Sequence, residues 1–514
     1  MRYPHIDHHG AQHRVTGSCH QLHMDADCSL LVDCGLFQGN ETSADGRGGA
    51  GQQNVESSLV TFKALIVTHV HIDHVGRISY LLAAGYKGPI FGSAPSAKLL
   101  PIVLEDAFQL GCSRDSKEIA RYLKLVEQRL HPLPNDQWLV LLEASQLCAR
   151  IRLQRASDLL GSPYVTIELT YSVTGENKRV VFSGNLCAPH APLLIPPKSP
   201  ERADILVLES TYGDRLHEDR ASRRQRLDVV IEHDLLDLGT ALIPAFSIGR
   251  TQGLLYDLEE IIHCKLQAHI NKPPLNVDEG GSEFANNGST PHSQSPLPSG
   301  ERARVRSNNY GSEYRLETNW PQLPIIPDSP LATCFTEAYR GLQSYWNQEA
   351  RERVEGGRNP LAFENLIKID SHANHIGVLN HLTQTARPAI VIAGNGMCSG
   401  GRIANYLKAM LHDPRHDVLF VGYQAQGTPG YAIQQHGPKG GYVYLDDERF
   451  DIRAGISSIG GYSAHADQNG LVDFVTGIQQ WPTEIRVVHG EQRAKEALAK
   501  ALKQHLPAPF ELKL

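Results

Sequence analysis

The chain has 514 residues, 41% of them hydrophobic, with a formal net charge of −7 and a sequence pI near 6.4. That length and apolar content suit a large core divided over two domains, and the acidic balance excludes the basic signature of a sequence-reading DNA binder. The start Met1-Arg2-Tyr3-Pro4-His5 lacks an apolar signal core, no later run approaches a membrane span, and the nine cysteines form no Cys-x-x-Cys pair, so a reducing, cytoplasmic location without membrane contact is expected.

In chain order, residues 29–33, 64–69, 148–155, 163–170 and 179–184 read as strands, with a helical block over about 94–130 among them. Asp204-Ile205-Leu206-Val207-Leu208 opens an alternating series that continues through Ala241-Leu242-Ile243-Pro244 and Ala389-Ile390-Val391-Ile392-Ala393. Helices over 218–237, 250–263 and 333–350 fall between these strands, which predicts a βαβ subdomain built on a parallel sheet. Residues 271–312, rich in Asn, Gly, Ser and Pro, bury too little apolar surface to offset their ordering entropy and read as a disordered insertion. Arg302, Arg304 and Arg306 within it read as solvated charge. Strands near 417–423 and 485–489 and a helix after 493 close the chain.

The chemistry concentrates in His69-Val70-His71-Ile72-Asp73-His74, directly after the apolar run Ala64-Leu65-Ile66-Val67. A strand that delivers N and O donors into a tight turn is a route to a transition-metal site. His69 and His71 can point one way while Asp73 and His74 point another, which suits two metals and hydrolysis assisted by them. The early cluster His5, Asp7, His8 and His9 lacks such context and reads as a chance grouping in a chain with 25 histidines. Asp33 ends the strand Leu30-Leu31-Val32, where a carboxylate can brace the metal loop from behind. Glu209 ends another apolar strand, and His465 and His489 each sit at a strand end beside small residues.

These residues, with Gly10-Ala11, Val15-Thr16-Gly17-Ser18-Cys19-His20 and His489-Gly490-Glu491, resemble the metallo-β-lactamase superfamily and, within it, the β-CASP ribonucleases. The resemblance implies an α/β chain with a four-layer αββα metallo-β-lactamase fold interrupted by an α/β cap. Its lactamase part would occupy 1–204 and 396–514, and the cap 205–395. Metals, two Zn²⁺ or alternatively Mn²⁺, would be held by His69 and His71 on one side and by Asp73, His74 and His489 on the other. Asp73 would orient the attacking water, and His465, held by Glu209, would protonate the leaving oxygen. RNA is the implied partner, cut to leave a 5′-phosphate and a 3′-hydroxyl. Ser247, Arg250, Arg402 and Ser463 would contact its phosphates, and a homodimer is common in such proteins.

Two positions depart from the family pattern. Asp158 in Ala156-Ser157-Asp158-Leu159-Leu160-Gly161-Ser162 stands where the family has a metal-binding His, and Asn185 after Phe182-Ser183-Gly184 stands where it has a bridging Asp. An oxygen ligand at 158 can still complete a site with two imidazoles. A neutral amide at 185 cannot offset two closely spaced dications as a carboxylate does, so weakened binding at the first site and reduced activity are expected. The alternative is a catalytically impaired homologue that acts as an RNA-binding or scaffolding subunit. A hydrolase of small esters shares the metal loop but leaves Glu209, His465 and His489 without a purpose.

Overall fold

Alternation along the strand Phe62–Ile66 and the residue after it sends Ala64 and Ile66 to one apolar cluster and Leu65 and Val67 to another, so the sheet that holds it is covered on both faces. The structure, a computed structural model, describes residues 3–12, 15–37, 59–235, 239–271, 320–385, 387–507 and 509–514. Apart from Asn271, the proposed insertion 271–312 lies outside the described residues, including Arg302, Arg304 and Arg306.

The first sheet runs β1 (His5–Gly10), β2 (Cys19–His23), β3 (Ser29–Val32), β4 (Phe62–Ile66), β5 (Ile90–Ser93) and β6 (Leu130–Leu133), antiparallel over β1 to β3 and parallel from β3 onward. A second sheet begins with β7 (Trp138–Glu143), β8 (Leu147–Arg155), β9 (Pro163–Tyr171), β10 (Glu176–Phe182) and β11 (Ile205–Glu209). The chain then builds the cap from β12 (Thr240–Ala245), β13 (Ile325–Asp328), β14 (Ala389–Gly394), β15 (Asp417–Phe420), a hairpin of β16 (Tyr442–Leu445) and β17 (Glu448–Asp451), and β18 (Gly455–Ser458). It returns as β19 (Glu484–Val488) and β20 (Glu511–Lys513), which complete the second sheet in the order β20-β19-β11-β10-β9-β8-β7.

Leu30, Ala64 and Ile66 of the first sheet meet Ile151, Val165 and Val207 of the second in a shared core. Outside the first sheet lie Leu99, Leu104 and Val126 of the helices Ala94–Gly111 and Ser116–Glu127; outside the second lie Phe474, Leu498 and Leu502 of Gln468–Thr476 and Gln492–His505. This is the αββα sandwich. The cap sheet, in the order β13-β14-β12-β15-β18, is parallel throughout and covered on both faces, with Ile390 and Ile392 facing one cluster and Val391 and Ala393 the other.

Sheet membership moves the cap boundaries expected at 205 and 395. Residues 205–209 form β11, which pairs in parallel with both β10 and β19 of the sandwich, whereas β15 and β18 carry the cap sheet on to Ser458. An apolar strand followed by a helix has the same pattern in either unit, so pairing partners alone decide. Two expected helices are also broken by side-chain caps. Asp115 accepts the Lys117 N–H and restarts the 94–130 block at Ser116, and Asn347 accepts the Ala350 N–H to start Gln348–Glu355 apart from Pro330–Arg340. Among the described residues no helix is long and apolar enough to cross a membrane.

Candidate metal centre

The metal loop is set by a backbone mesh. Beyond β4 the chain turns at 68–71 into a single helical turn, Ile72–Val75. Ser18 N–H donates to the Asp73 carbonyl, Gly35 N–H to the Ser18 carbonyl and Cys34 N–H to the His74 carbonyl, each at 2.8 Å. Gly35 is pressed so close that a Cβ there would lie 1.5 Å from the Asp73 carbonyl oxygen. Gly35→Ala therefore forces the loop away and is expected to cost at least about 2 kcal/mol of stability and to lower retained metal; chemical denaturation and metal analysis check both, and a variant with unchanged stability would show the mesh is not a constraint.

Asp33 fixes imidazoles on both sides of this loop. Its carboxylate accepts the Thr68 N–H and hydroxyl and His74 Nδ1–H, each at 2.8 Å, while the Thr68 oxygen lies 3.1 Å from His69 Nδ1. With the Thr68 hydroxyl proton directed to Asp33, its oxygen accepts from His69, so both His69 and His74 carry their protons on Nδ1 and turn Nε2 inward. Burial pushes the Asp33 carboxyl up, although both Thr68 hydrogen bonds oppose it. Asp33 braces the loop as expected, and Thr68 is an addition that single-residue motif reading does not find.

The donors fall into two triplets, His69 with His71 and Asp158, and Asp73 with His74 and His489, the ligand atoms in each lying within 4.8 Å of one another. Asp158 Oδ2 stands 3.2 Å from His71 Nδ1 and 3.7 Å from His69 Nε2, and Asp73 Oδ2 stands 3.7 Å from His74 Nε2 and 3.8 Å from His489 Nε2. His74 Nε2 and both Asp158 oxygens are buried without a hydrogen-bond partner among the described residues. Buried polar atoms left unsatisfied are costly, and converging lone pairs of this kind fit divalent cations. The expected partition of ligands is thus the one the geometry brings together. His489 is delivered by its backbone, with φ of 53° and its N–H on the Ala11 carbonyl at 2.7 Å.

A short ladder sets the opposite wall. Cys187 N–H donates to the Ala156 carbonyl, Ala188 N–H to that of Ala464, and Ala466 N–H to that of Leu186, so the segment after Asn185 ties the Asp158 loop to the His465 loop. Asn185 Nδ2 lies 3.1 Å from His69 Nε2. His465 Nδ1 lies 3.3 Å from Glu209 Oε2, and its Nε2 is 3.9 Å from Asp158 Oδ1. Glu209 is itself held by the Leu186 N–H and the Thr211 hydroxyl, both at 2.6 Å. Burial pushes the His465 imidazole down, but Asp158 and Glu209 outweigh it and raise its pKa to about 10. Burial likewise opposes charge on Asp158, yet His465, His71 and His69 hold it well below the usual carboxylate range. His217 Nε2 and Arg220 Nη2, neither evident from motifs, engage the His465 carbonyl at 2.9 and 3.4 Å and steady this loop.

The four residues expected to contact phosphate separate. Arg250 starts the helix Arg250–Ile270 after Gly249, whose added Cβ would lie 2.7 Å from Leu159 beside Asp158, so it stands over the metal centre. Ser247 shares a 3.0 Å hydroxyl contact with Ser329, and the Ser463 carbonyl accepts from Arg220. The Arg402 guanidinium binds buried Asp328, which also accepts from His375 and Tyr406 at 2.6 Å each, so it braces the cap interior.

A sandwich that carries two metal triplets at its strand ends beneath a parallel-sheet cap defines the metallo-β-lactamase type of hydrolase. Family models agree: the metallo-beta-lactamase superfamily matches residues 21–108, the Beta-Casp domain 310–433, and the Zn-dependent metallo-hydrolase RNA specificity domain 449–509. "Ribonuclease TTHA0252" of Thermus thermophilus is 31% identical over 500 residues, covering 96% of this chain and 94% of the relative. "Transcription termination factor FttA" of Methanosarcina mazei is 25% identical over 521 residues, 97% of this chain and 68% of that protein, and its namesake in Methanothermobacter thermautotrophicus is 26% identical over 503 residues, 96% and 68% respectively. The chain belongs to the β-CASP family of the metallo-β-lactamase superfamily.

Proposed function

We propose that this protein is a metal-dependent ribonuclease that hydrolyses phosphodiester bonds in RNA, with zinc as its resident metal, in the cytoplasm. The observation that carries the reading is the joining of two converging metal triplets with a carboxylate-held imidazole, His465 on Glu209, whose Nε2 stands 3.9 Å from Asp158 of the first triplet. Divalent cations bound there supply Lewis acidity, lowering the pKa of water and offsetting phosphate charge. His69, His71 and Asp158 would hold one, and Asp73, His74 and His489 the other. Asp73, 19% exposed, would accept a hydrogen bond from the attacking water and fix its line of approach. His465 would donate the Nε2 proton to the leaving ribose oxygen, with Glu209 keeping Nδ1–H in place. The products would carry a 5′-phosphate and a 3′-hydroxyl. Ser247, Arg250 and Ser463 would align the strand.

Cleavage of a labelled RNA by purified protein, with Zn²⁺ or Mn²⁺ added, tests this reading. His71→Ala is expected to lower the rate at least about 100-fold, the upper end of what loss of a mere outer support costs, and a chelator to abolish it. Absence of metal-dependent cleavage by the wild type, with RNA binding retained, would favour the second reading, an RNA-binding subunit without efficient chemistry; its motivating observation is the Asn185 amide at the His69 lone pair.

A further inference from the structure

Two large aromatic rings, Phe246 and Tyr423, are each 45% exposed at the edge of the cap that overlooks the metal centre. They lie beyond the C-terminal ends of β12 and β15, neighbouring parallel strands, and ligands of such sheets gather at that edge. Arg250 joins the two positions. Its Nη1 donates to the Val421 carbonyl at 3.0 Å, a Cβ on Gly422 would lie 3.9 Å from its Cζ, and the next residue, Thr251, donates its hydroxyl to the Phe246 carbonyl at 2.8 Å. A Cβ on Gly396 would stand 3.3 Å from the Phe246 ring, so the Gly-rich loop backs that ring with bare backbone.

Burial raises the Tyr423 phenol, Glu491 adds to the rise, and Arg215 opposes it. Tyr212, another neighbour of that phenol, has its ring 6.1 Å from that of His465. Single exposed aromatics are ordinary on protein surfaces. A pair on adjoining strand ends, with a guanidinium between them and a metal centre below, is a different arrangement, because it matches a strand of bases linked by phosphates.

We propose that Phe246 and Tyr423 are stacking platforms for two unpaired bases of a single-stranded RNA, with the intervening phosphate beside Arg250. The proposal rests on the ribonuclease reading and deepens it: bases already stacked inside a duplex cannot present their faces to these rings, so the cleft selects unpaired RNA. Specificity then arises from the strand's state and from stacking strength, and hydrogen bonding to base edges contributes little.

Fluorescence anisotropy with an unstructured RNA of about 12 nucleotides, a length within the usual range for such grooves, tests it. Phe246→Ala and Tyr423→Ala are each expected to weaken binding about tenfold, the typical effect of losing one base–aromatic stack, while Tyr423→Trp stays within about twofold of wild type. A strand of abasic residues with the same number of phosphates should bind wild type and both alanine variants alike. Unchanged affinity of the alanine variants for the base-bearing RNA overturns the proposal, as does an equal loss on both strands, which would make the rings structural. If the wild type binds neither strand, the ribonuclease reading itself falls, so the two failures are told apart.

Discussion

His465→Ala is expected to lower the single-turnover rate of RNA cleavage by about 10²–10⁴-fold, the usual contribution of a positioned proton donor, with metal content unchanged. The imidazole belongs to neither triplet, yet its Nε2 is 3.9 Å from Asp158 Oδ1, and its other nitrogen is fixed by Glu209. A 3′-linked ribose oxygen leaves poorly unless protonated, so loss of the donor acts on the bond-breaking step. A diester with a p-nitrophenolate leaving group needs no such proton. The same variant should therefore cleave that substrate at close to the wild-type rate, and Glu209→Gln should show a smaller loss confined to RNA. Equal losses on RNA and the activated diester would remove His465 from the acid role.

Much of the site is legible in the sequence because its chemistry is local. The residues from His69 to His74 follow one strand, and a six-residue spacing already divides them between two directions, which the triplets reproduce. Asp33, Glu209 and His489 are also found at strand ends, since β3 pairs with β4 in one sheet and β11 with β19 in the facing one, whereas His465, expected at a strand end, lies in the loop between β18 and the helix Gln468–Thr476, tied to Cys187 by an isolated bridge. What the sequence conceals is pairing. Nothing local to Ile205–Glu209 says that it joins β10 and β19 instead of the cap sheet. Arg402 in its Gly-rich loop has the composition of a phosphate contact, and only the buried Asp328 on a separate strand reveals its engagement. Thr68 relays Asp33 to His69 through a hydroxyl, a link that no spacing rule encodes. The strand His5–Gly10 was legible only as a cluster of histidines. Its alternation places Asp7 between His5 and His23, at 2.9 and 3.0 Å, so that these polar residues satisfy one another at the sheet's edge.

Asn185→Asp is expected to tighten metal binding by His69, His71 and Asp158 on the order of 100-fold, comparable to the strongest effects of residues that support metal ligands, and to raise cleavage with it. In the wild type the amide Nδ2 points at the His69 Nε2 lone pair from 3.1 Å, the electron pair that the first triplet needs for a cation. Metal binding must break that contact. Turning the amide over presents Oδ1 instead, a buried oxygen that has no hydrogen-bond partner among the described residues, but a neutral one that offsets none of the charge of two dications. The carboxylates of the two triplets, Asp158 and Asp73, carry one negative charge each. A carboxylate at 185 removes the competing N–H and adds a third charge between the triplets. After dialysis the wild type should accordingly retain close to one metal per chain, held by Asp73, His74 and His489, and Asn185→Asp close to two. Calorimetric titration of the dialysed proteins with Zn²⁺ measures the second affinity directly. Two tightly held zinc ions in the wild type would show that His69, His71 and Asp158 suffice without a shared carboxylate, and the amide would then be a neutral bystander to the metals.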